Sequence, residues 1–145
     1  MPTSGFTIHD DCRKQLEQLK FGQEIKYIIF KINDDCDQVI VDQTGGPNKD
    51  YYERFISSLP SKEPRYAVLD LEFQVPEVEG ARKKIIFYAW SPDESDVKAK
   101  MVHALNLRAF RRLFIGTSVH IQGADVSDFD IEKVTSKASS AVAEE

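Results

Sequence analysis

Three histidines, two cysteines and a run of aspartates are the residues whose types could do chemistry in this chain. His9, His103 and His120 are scattered over separate segments, and no serine or cysteine stands in a recognisable nucleophile context, so a catalytic triad has no support. Asp34, Asp35 and Asp37 invite a calcium-loop reading, but the glycine and distal glutamate such a loop needs are missing, and a solvated hairpin turn accounts for them. Gly45-Gly46-Pro47-Asn48 lacks the Gly-Lys-Ser/Thr ending that cradles phosphates. Cys12 and Cys36 fall in different expected elements without metal-ligand spacing and read as free thiols. No enzymatic activity, metal site or cofactor is expected.

What remains is binding chemistry, concentrated in KMVHALNLRAFRRLF from Lys100 to Phe114. At 100° per residue Val102, Ala109 and Leu113 cluster on one side, with Leu105 and Phe110 flanking, and these are the expected core face. Lys100, Ala104, Leu107, Arg108 and Arg111 fall nearly opposite. That second face is basic with an apolar centre. Read plainly it is a solvated charged face carrying one leucine. Read functionally it docks into a groove on a protein partner, with Leu107 as anchor and arginines around it.

The elements that must position this helix follow from composition and periodicity. At 145 residues, 41% hydrophobic and 30% charged, the chain is long enough for one globular domain with a core. No apolar run approaches the roughly 20 residues of a membrane span. The start, MPTSGFTIHDD, has neither the basic opening nor the apolar stretch of a signal peptide, so a cytoplasmic location is expected. A net charge of −5 argues against nonspecific nucleic-acid binding, which needs a cationic surface; any basic site is local. Thr7 and Asp10 suggest the start of a first helix that carries Cys12, Leu16 and Leu19 and stops at Gly22. KYIIFKI and QVIVD read as a hairpin, and Asn48 is a candidate cap for a second helix with Tyr52, Phe55, Ile56 and Leu59 on one face, ended by Pro60. RYAVLDLEF and KKIIFYAW read as neighbouring central strands. Ser91 or Asp93 is expected to cap the long helix and Gly116 to close it; a short strand, SVHIQ, and a last helix near Asp125 to Lys137 follow. The order αββαββαβα predicts an α/β domain, one mixed sheet of five to six strands with helices on both faces. The expected boundaries are a flexible segment 1–5, a domain 6–138 and a disordered tail 139–145.

Ser4-Gly5-Phe6, YIIFKIND, RYAVLDLEF, KKIIFYAWSPD and the KAKMV that opens the long helix stand in an order and spacing that resemble the actin-depolymerising factor/cofilin family over essentially residues 4 to 137. The resemblance implies a mixed sheet with two helices on each side. It also implies an actin-binding activity: binding monomers and filament sides, favouring ADP-actin, and promoting severing and subunit loss without covalent chemistry. Carried over position by position, the monomer-binding residues are Ser4, Gly5, Lys98, Lys100, Met101, Leu107, Arg108 and Arg111. The filament-specific ones are Arg82, Lys84, Ser136 and Lys137. Ser4 matches the family's regulatory phosphorylation site, where a phosphate would add nearly two negative charges to an interface facing an acidic partner. The implied protein is a monomer associated with the cytoskeleton in the cytoplasm, with the nucleus a second location.

The departures matter as well. Where the family typically reads Ser-Ser-Lys-Asp in the long helix, this chain has Leu105-Asn106-Leu107-Arg108, and in the last helix Ser136, Lys137 and Ser140 replace a more highly charged pattern. Weaker filament binding or severing is expected from both. The competing expectations are a non-depolymerising relative, coactosin-like or of the glia-maturation-factor type, and a phosphoinositide-binding module using the basic helix.

Overall fold

The runs rich in β-branched and aromatic residues form the middle of one sheet. The computed structural model describes residues 7–74, 79–112 and 119–143. In chain order it contains β1 (Thr7–Ile8), α1 (Asp10–Phe21), β2 (Tyr27–Ile32), β3 (Gln38–Gly45), α2 (Tyr51–Ser57), β4 (Arg65–Gln74), β5 (Ala81–Trp90), α3 (Val97–Arg111), β6 (Val119–Gly123), a 3-10 turn (Val126–Phe129) and α4 (Ile131–Ala143). The six strands are ordered β1-β3-β2-β4-β5-β6. Pairing is antiparallel through β3-β2-β4-β5 and parallel at both edges, where β1 joins β3 and β6 joins β5. This is the mixed, helix-flanked sheet expected from the sequence.

Side-chain alternation along the central strands splits the core in two. Ala67, Leu69, Leu71 and Phe73 of β4, with Ile86, Tyr88 and Trp90 of β5, face Phe55 and Leu59 of the α2 region and Val134 and Ala138 of α4. Tyr66 and Val68, with Phe87 and Ala89, face Cys12, Leu16 and Leu19 of α1 and Phe110 of α3. Buried polar atoms in the first layer find partners. The Trp90 indole N–H donates to the Pro60 carbonyl at 2.7 Å, and the Tyr52 hydroxyl donates to the Phe129 carbonyl at 2.7 Å. Both cysteines are free, as expected, Cys12 buried and Cys36 partly exposed in the β2–β3 turn.

The element boundaries depart from expectation where tertiary partners decide them. Thr7 does not start a helix; its N–H donates to the Asp37 carbonyl and the chain pairs with β3, leaving His9 as the N-cap of α1, its Nδ1 accepting from the Asp11 N–H at 3.0 Å. Asn48 does not cap α2. The N-cap is Asp50, whose carboxylate is engaged by Arg54 Nε at 2.9 Å instead of the helix N–H groups. Neither Ser91 nor Asp93 caps α3. Ser91 extends the sheet, its N–H donating to the Gly123 carbonyl, and Asp96 is the cap, accepting from the N–H groups of Lys98 and Ala99. Gly116, the expected helix stop, lies outside the described residues. The last helix is two pieces. Asp125 and Asp128 cap the 3-10 turn reciprocally, Asp130 adopts an extended ψ, and α4 starts only at Ile131. It runs to Ala143, past the boundary at 138 where a tail was expected, with Ala138 buried.

Candidate functional site

Asp96 anchors the first turn of α3, and the helix then has to choose which side to bury. The sheet selects the side that carries His103 and Phe110. Phe110 is fully buried, meeting Phe30 edge-on at 5.0 Å between centroids and Tyr66 at 4.9 Å. His103 is 4% exposed and stacks on Tyr66 at 4.3 Å. Its Nε2 lies 3.1 Å from the Arg65 carbonyl, which can only accept, so that nitrogen carries the proton. The Tyr66 hydroxyl returns a 2.6 Å bond to the His103 carbonyl. Burial pushes the imidazole down to about 4, so it is neutral around pH 7 and braces the helix.

This choice rotates α3 away from the expected orientation. Of the expected core face, Phe110 is buried as expected, but Ala109 and Leu105 are exposed and Val102 is only half-buried; Leu113 lies outside the described residues. Leu107, expected as the exposed anchor, is half-buried and packs against the core layer shared with α1. The reason is that histidine scores as polar, yet this one has a ring to stack on and a carbonyl to bond. The buried stripe is therefore His103-Phe110, with Leu107 beside it.

The outward face is then set by geometry. Val97, Met101 and Leu105 are 73%, 66% and 80% exposed and recur every four residues, so they form one apolar ridge. It spans about 12 Å at the helical rise of 1.5 Å per residue. Lys98, Arg108 and Arg112 are exposed around it, and Lys100 and Arg111 lie half-buried on one flank. The Lys100 ammonium donates to the Asp93 carbonyl at 2.8 Å, which ties the preceding loop to the helix. No acidic residue occurs between Val97 and Arg112. Of the expected monomer-binding residues, α3 thus brings together Lys98, Lys100, Met101, Arg108 and Arg111. Ser4 and Gly5 lie outside the described residues. Val97, Leu105 and Arg112 share this exposed surface, a placement that a periodicity centred on His103 and Phe110 gives.

The second expected set sits on the other side of the sheet. Arg82 pairs with Phe73 and Lys84 with Leu71, and both partners belong to the layer under α2 and α4, so cross-strand alternation puts the two cations on that side. Ser136 and Lys137 are exposed on α4, between the buried Val134 and Ala138. A shallow hollow lined by Gln74, Ile131, Thr135 and Ser136 joins α4 to the end of β4, one residue pair from Arg82. The two ends of this set therefore lie near one another.

The titratable side chains that could do chemistry have structural partners instead. His9 caps a helix, His103 braces one, and His120 meets the Phe87 ring edge-on at 5.7 Å. Burial raises the Cys12 thiol to about 12, which makes it a poor nucleophile. No group of three His, Cys, Asp or Glu side chains could hold a metal among the described residues, and no described helix is long and apolar enough to cross a membrane.

The chain resembles known proteins over nearly its whole length. Residues 5–139 match the family model described as cofilin/tropomyosin-type actin-binding protein. A cofilin from Ogataea parapolymorpha is 42% identical over 139 residues, covering 96% of each chain. The crystal structure of a Streptomyces griseoflavus cofilin superposes with a TM-score of 0.85 at 38% identity, covering 94% of this chain and 98% of that one. A coactosin structure from Entamoeba histolytica has a TM-score of 0.82 at 15% identity, over 97% of this chain and 99% of that one, a likeness of fold alone.

Proposed function

Because the chain belongs to the cofilin/tropomyosin-type family of actin-binding proteins, we propose that it binds actin monomers and filament sides, prefers ADP-actin, and promotes filament severing and subunit loss. The observation that carries this reading is the exposed ridge of α3 with its five cations, in a molecule whose second basic set lies on the opposite side of the sheet. A monomer needs only the α3 side, for which Lys98, Lys100, Met101, Arg108 and Arg111 are the contacts, joined by Ser4 and Gly5. Leu107, half-buried against the core beside this set, offers only its exposed part to the same surface. A filament presents two subunits, and the second would meet Arg82, Lys84, Ser136 and Lys137.

No covalent step is required. A protein that binds one filament geometry better than another shifts the filament toward it, by no more than the difference in affinity, and leaves unbound neighbours strained. Cations ringing the ridge would steer an acidic partner and fix its register. The exposed outer face of α4 carries Lys133, Ser136, Lys137 and Ser140; filament attachment weaker than monomer binding follows from Ser136 and Ser140 standing where the family pattern is more highly charged. A phosphate on Ser4 would add negative charge to the surface that α3 shares, and so weaken binding. The protein acts as a monomer, in the cytoplasm and at the cytoskeleton, with the nucleus a second location. The same cation cluster favours one second reading, competition by phosphoinositide headgroups for the α3 surface.

Imaging of single ADP-actin filaments tests the proposal. The expected result is a rise in breaks per filament length on adding the protein; filaments that stay intact while labelled monomers still bind would remove severing from the reading.

A further inference from the structure

The ladder between β2 and β4 stops before either strand does. Its last pair is Phe30 with Tyr66, whereas β2 runs on against β3 to Ile32 and β4 begins against β5 at Arg65. The Asp70 N–H donates to the Lys26 carbonyl, so every second pair is hydrogen-bonded and Ile32 opposite Pro64 would be the next. Proline has no N–H to offer the Ile32 carbonyl, and the Pro64 carbonyl already accepts from Arg65 Nη1 at 2.8 Å. The strands part there, and the opening leads into a hollow of about 370 Å³ lined on its helical side by Asp96, Ala99, Val102 and His103. That volume suits a small molecule.

The side-chain groups left unengaged at this hollow are acceptors. His103 is 4% exposed and gives its one N–H to the Arg65 carbonyl, so its Nδ1 keeps a lone pair, which has no partner among the described residues. Nor is Nδ1 sealed in, because the sealed side-chain polar atom without a partner among those residues is Ser95 Oγ. Asp96 uses Oδ1 for both cap bonds, which leaves Oδ2, and Asp34 brings an exposed carboxylate to the rim. The neighbouring donors are engaged elsewhere: Arg65 Nε on Asp42, Arg65 Nη1 on Glu63, and Asn33 Nδ2 on Asp37. Strand alternation puts Lys31 on the side of β2 opposite Phe30 and Ile32. Ile32, Ala99 and Val102 supply apolar wall. We propose that the hollow binds a small organic cation that donates N–H bonds, an amine or guanidine on a short apolar stem, with one N–H on His103 Nδ1 and its charge answered by Asp34 and Asp96. An anion would meet two carboxylates there, and no three ligands for a metal come together among the described residues. A cation without N–H groups would leave the Nδ1 lone pair unbonded.

The test titrates the whole chain with agmatine, a guanidinium and an ammonium on an aliphatic stem, and follows the imidazole nitrogens by NMR at pH 7. Choline, a cation with no N–H, is the control. The expected result is a saturable displacement of the His103 Nδ1 signal at millimolar agmatine or below, an Nε2 signal that stays that of a protonated nitrogen, and no displacement by choline. Ala99→Met, which fills the hollow, should abolish the binding measured by calorimetry. His103→Phe keeps a ring against Tyr66 but no acceptor, and should lower agmatine affinity about tenfold, as when a desolvated donor loses its partner. An Nδ1 signal that agmatine leaves in place, or that choline moves equally, would overturn the proposal. Agmatine binding that survives Ala99→Met unchanged would overturn it too, because the cation would then sit outside the hollow. If either variant fails to fold, the wild-type spectra decide alone. None of these readings depends on actin.

Discussion

His103 shows how one residue can decide what a surface is made of. Its burial puts Leu105 outside and turns Leu107 half inward against the core, and its titration leaves a signature in stability. The unfolded imidazole titrates near the ordinary 6.5 and the folded one near 4, so between these values the unfolded chain binds the proton and the folded one does not. The stabilisation is complete above 6.5 and drains away as pH falls toward 4. From pH 7 to pH 5 this predicts a loss of about 2 kcal/mol of unfolding free energy, read by urea denaturation, and a His103→Phe variant that lacks that slope. The two cysteines make a second test at this scale. A thiol reagent at pH 8 should modify Cys36 quickly and leave Cys12 untouched until the protein unfolds, because burial holds the Cys12 thiol at about 12. The Leu105 and Leu107 assignments were not legible in the sequence for a specific reason: both are leucines on one helix, and only the Tyr66 ring and the Arg65 carbonyl, distant in sequence, make a histidine the better residue to bury.

At the scale of elements, legibility tracks how local the determining forces are. β2, β3, β4 and β5 could be read from YIIFKI, QVIVD, RYAVLDLEF and KKIIFYAW, because β-branched and aromatic residues in such runs suit a pleated, buried surface wherever it lies. β1 could not be read. Two residues carry no pattern, and their strand exists because β3 offers an edge. Caps were misplaced for the same reason: Asp50, Asp93 and Asp96 are chemically alike, and what separates them is that Arg54 takes the first, a lysine ties down the backbone of the second, and only the third meets free helix N–H groups. That assignment predicts that Asp96→Ala costs about 1 kcal/mol of stability, as loss of an N-cap does, and that Asp93→Ala costs far less. Thermal unfolding of the two variants separates them.

At the scale of the molecule, the sheet divides these cations into two sets, one on each side, that composition cannot see. The chain is acidic overall, and its basic residues matter only because alternation in β5 sends Arg82 and Lys84 one way while α3 presents Lys98, Arg108 and Arg112 the other. If the two sides meet different actin subunits, Arg82→Glu with Lys84→Glu should abolish pelleting with filaments while labelled monomers still bind. Lys98→Glu with Arg108→Glu should weaken both. Whether the protein disassembles actin filaments is read by high-speed co-sedimentation with filamentous ADP-actin. The expected result is protein in the pellet and, in the same tubes, actin released to the supernatant in proportion to the protein added. A pellet without the protein, with all of the actin still in it, would rule out filament disassembly by this protein.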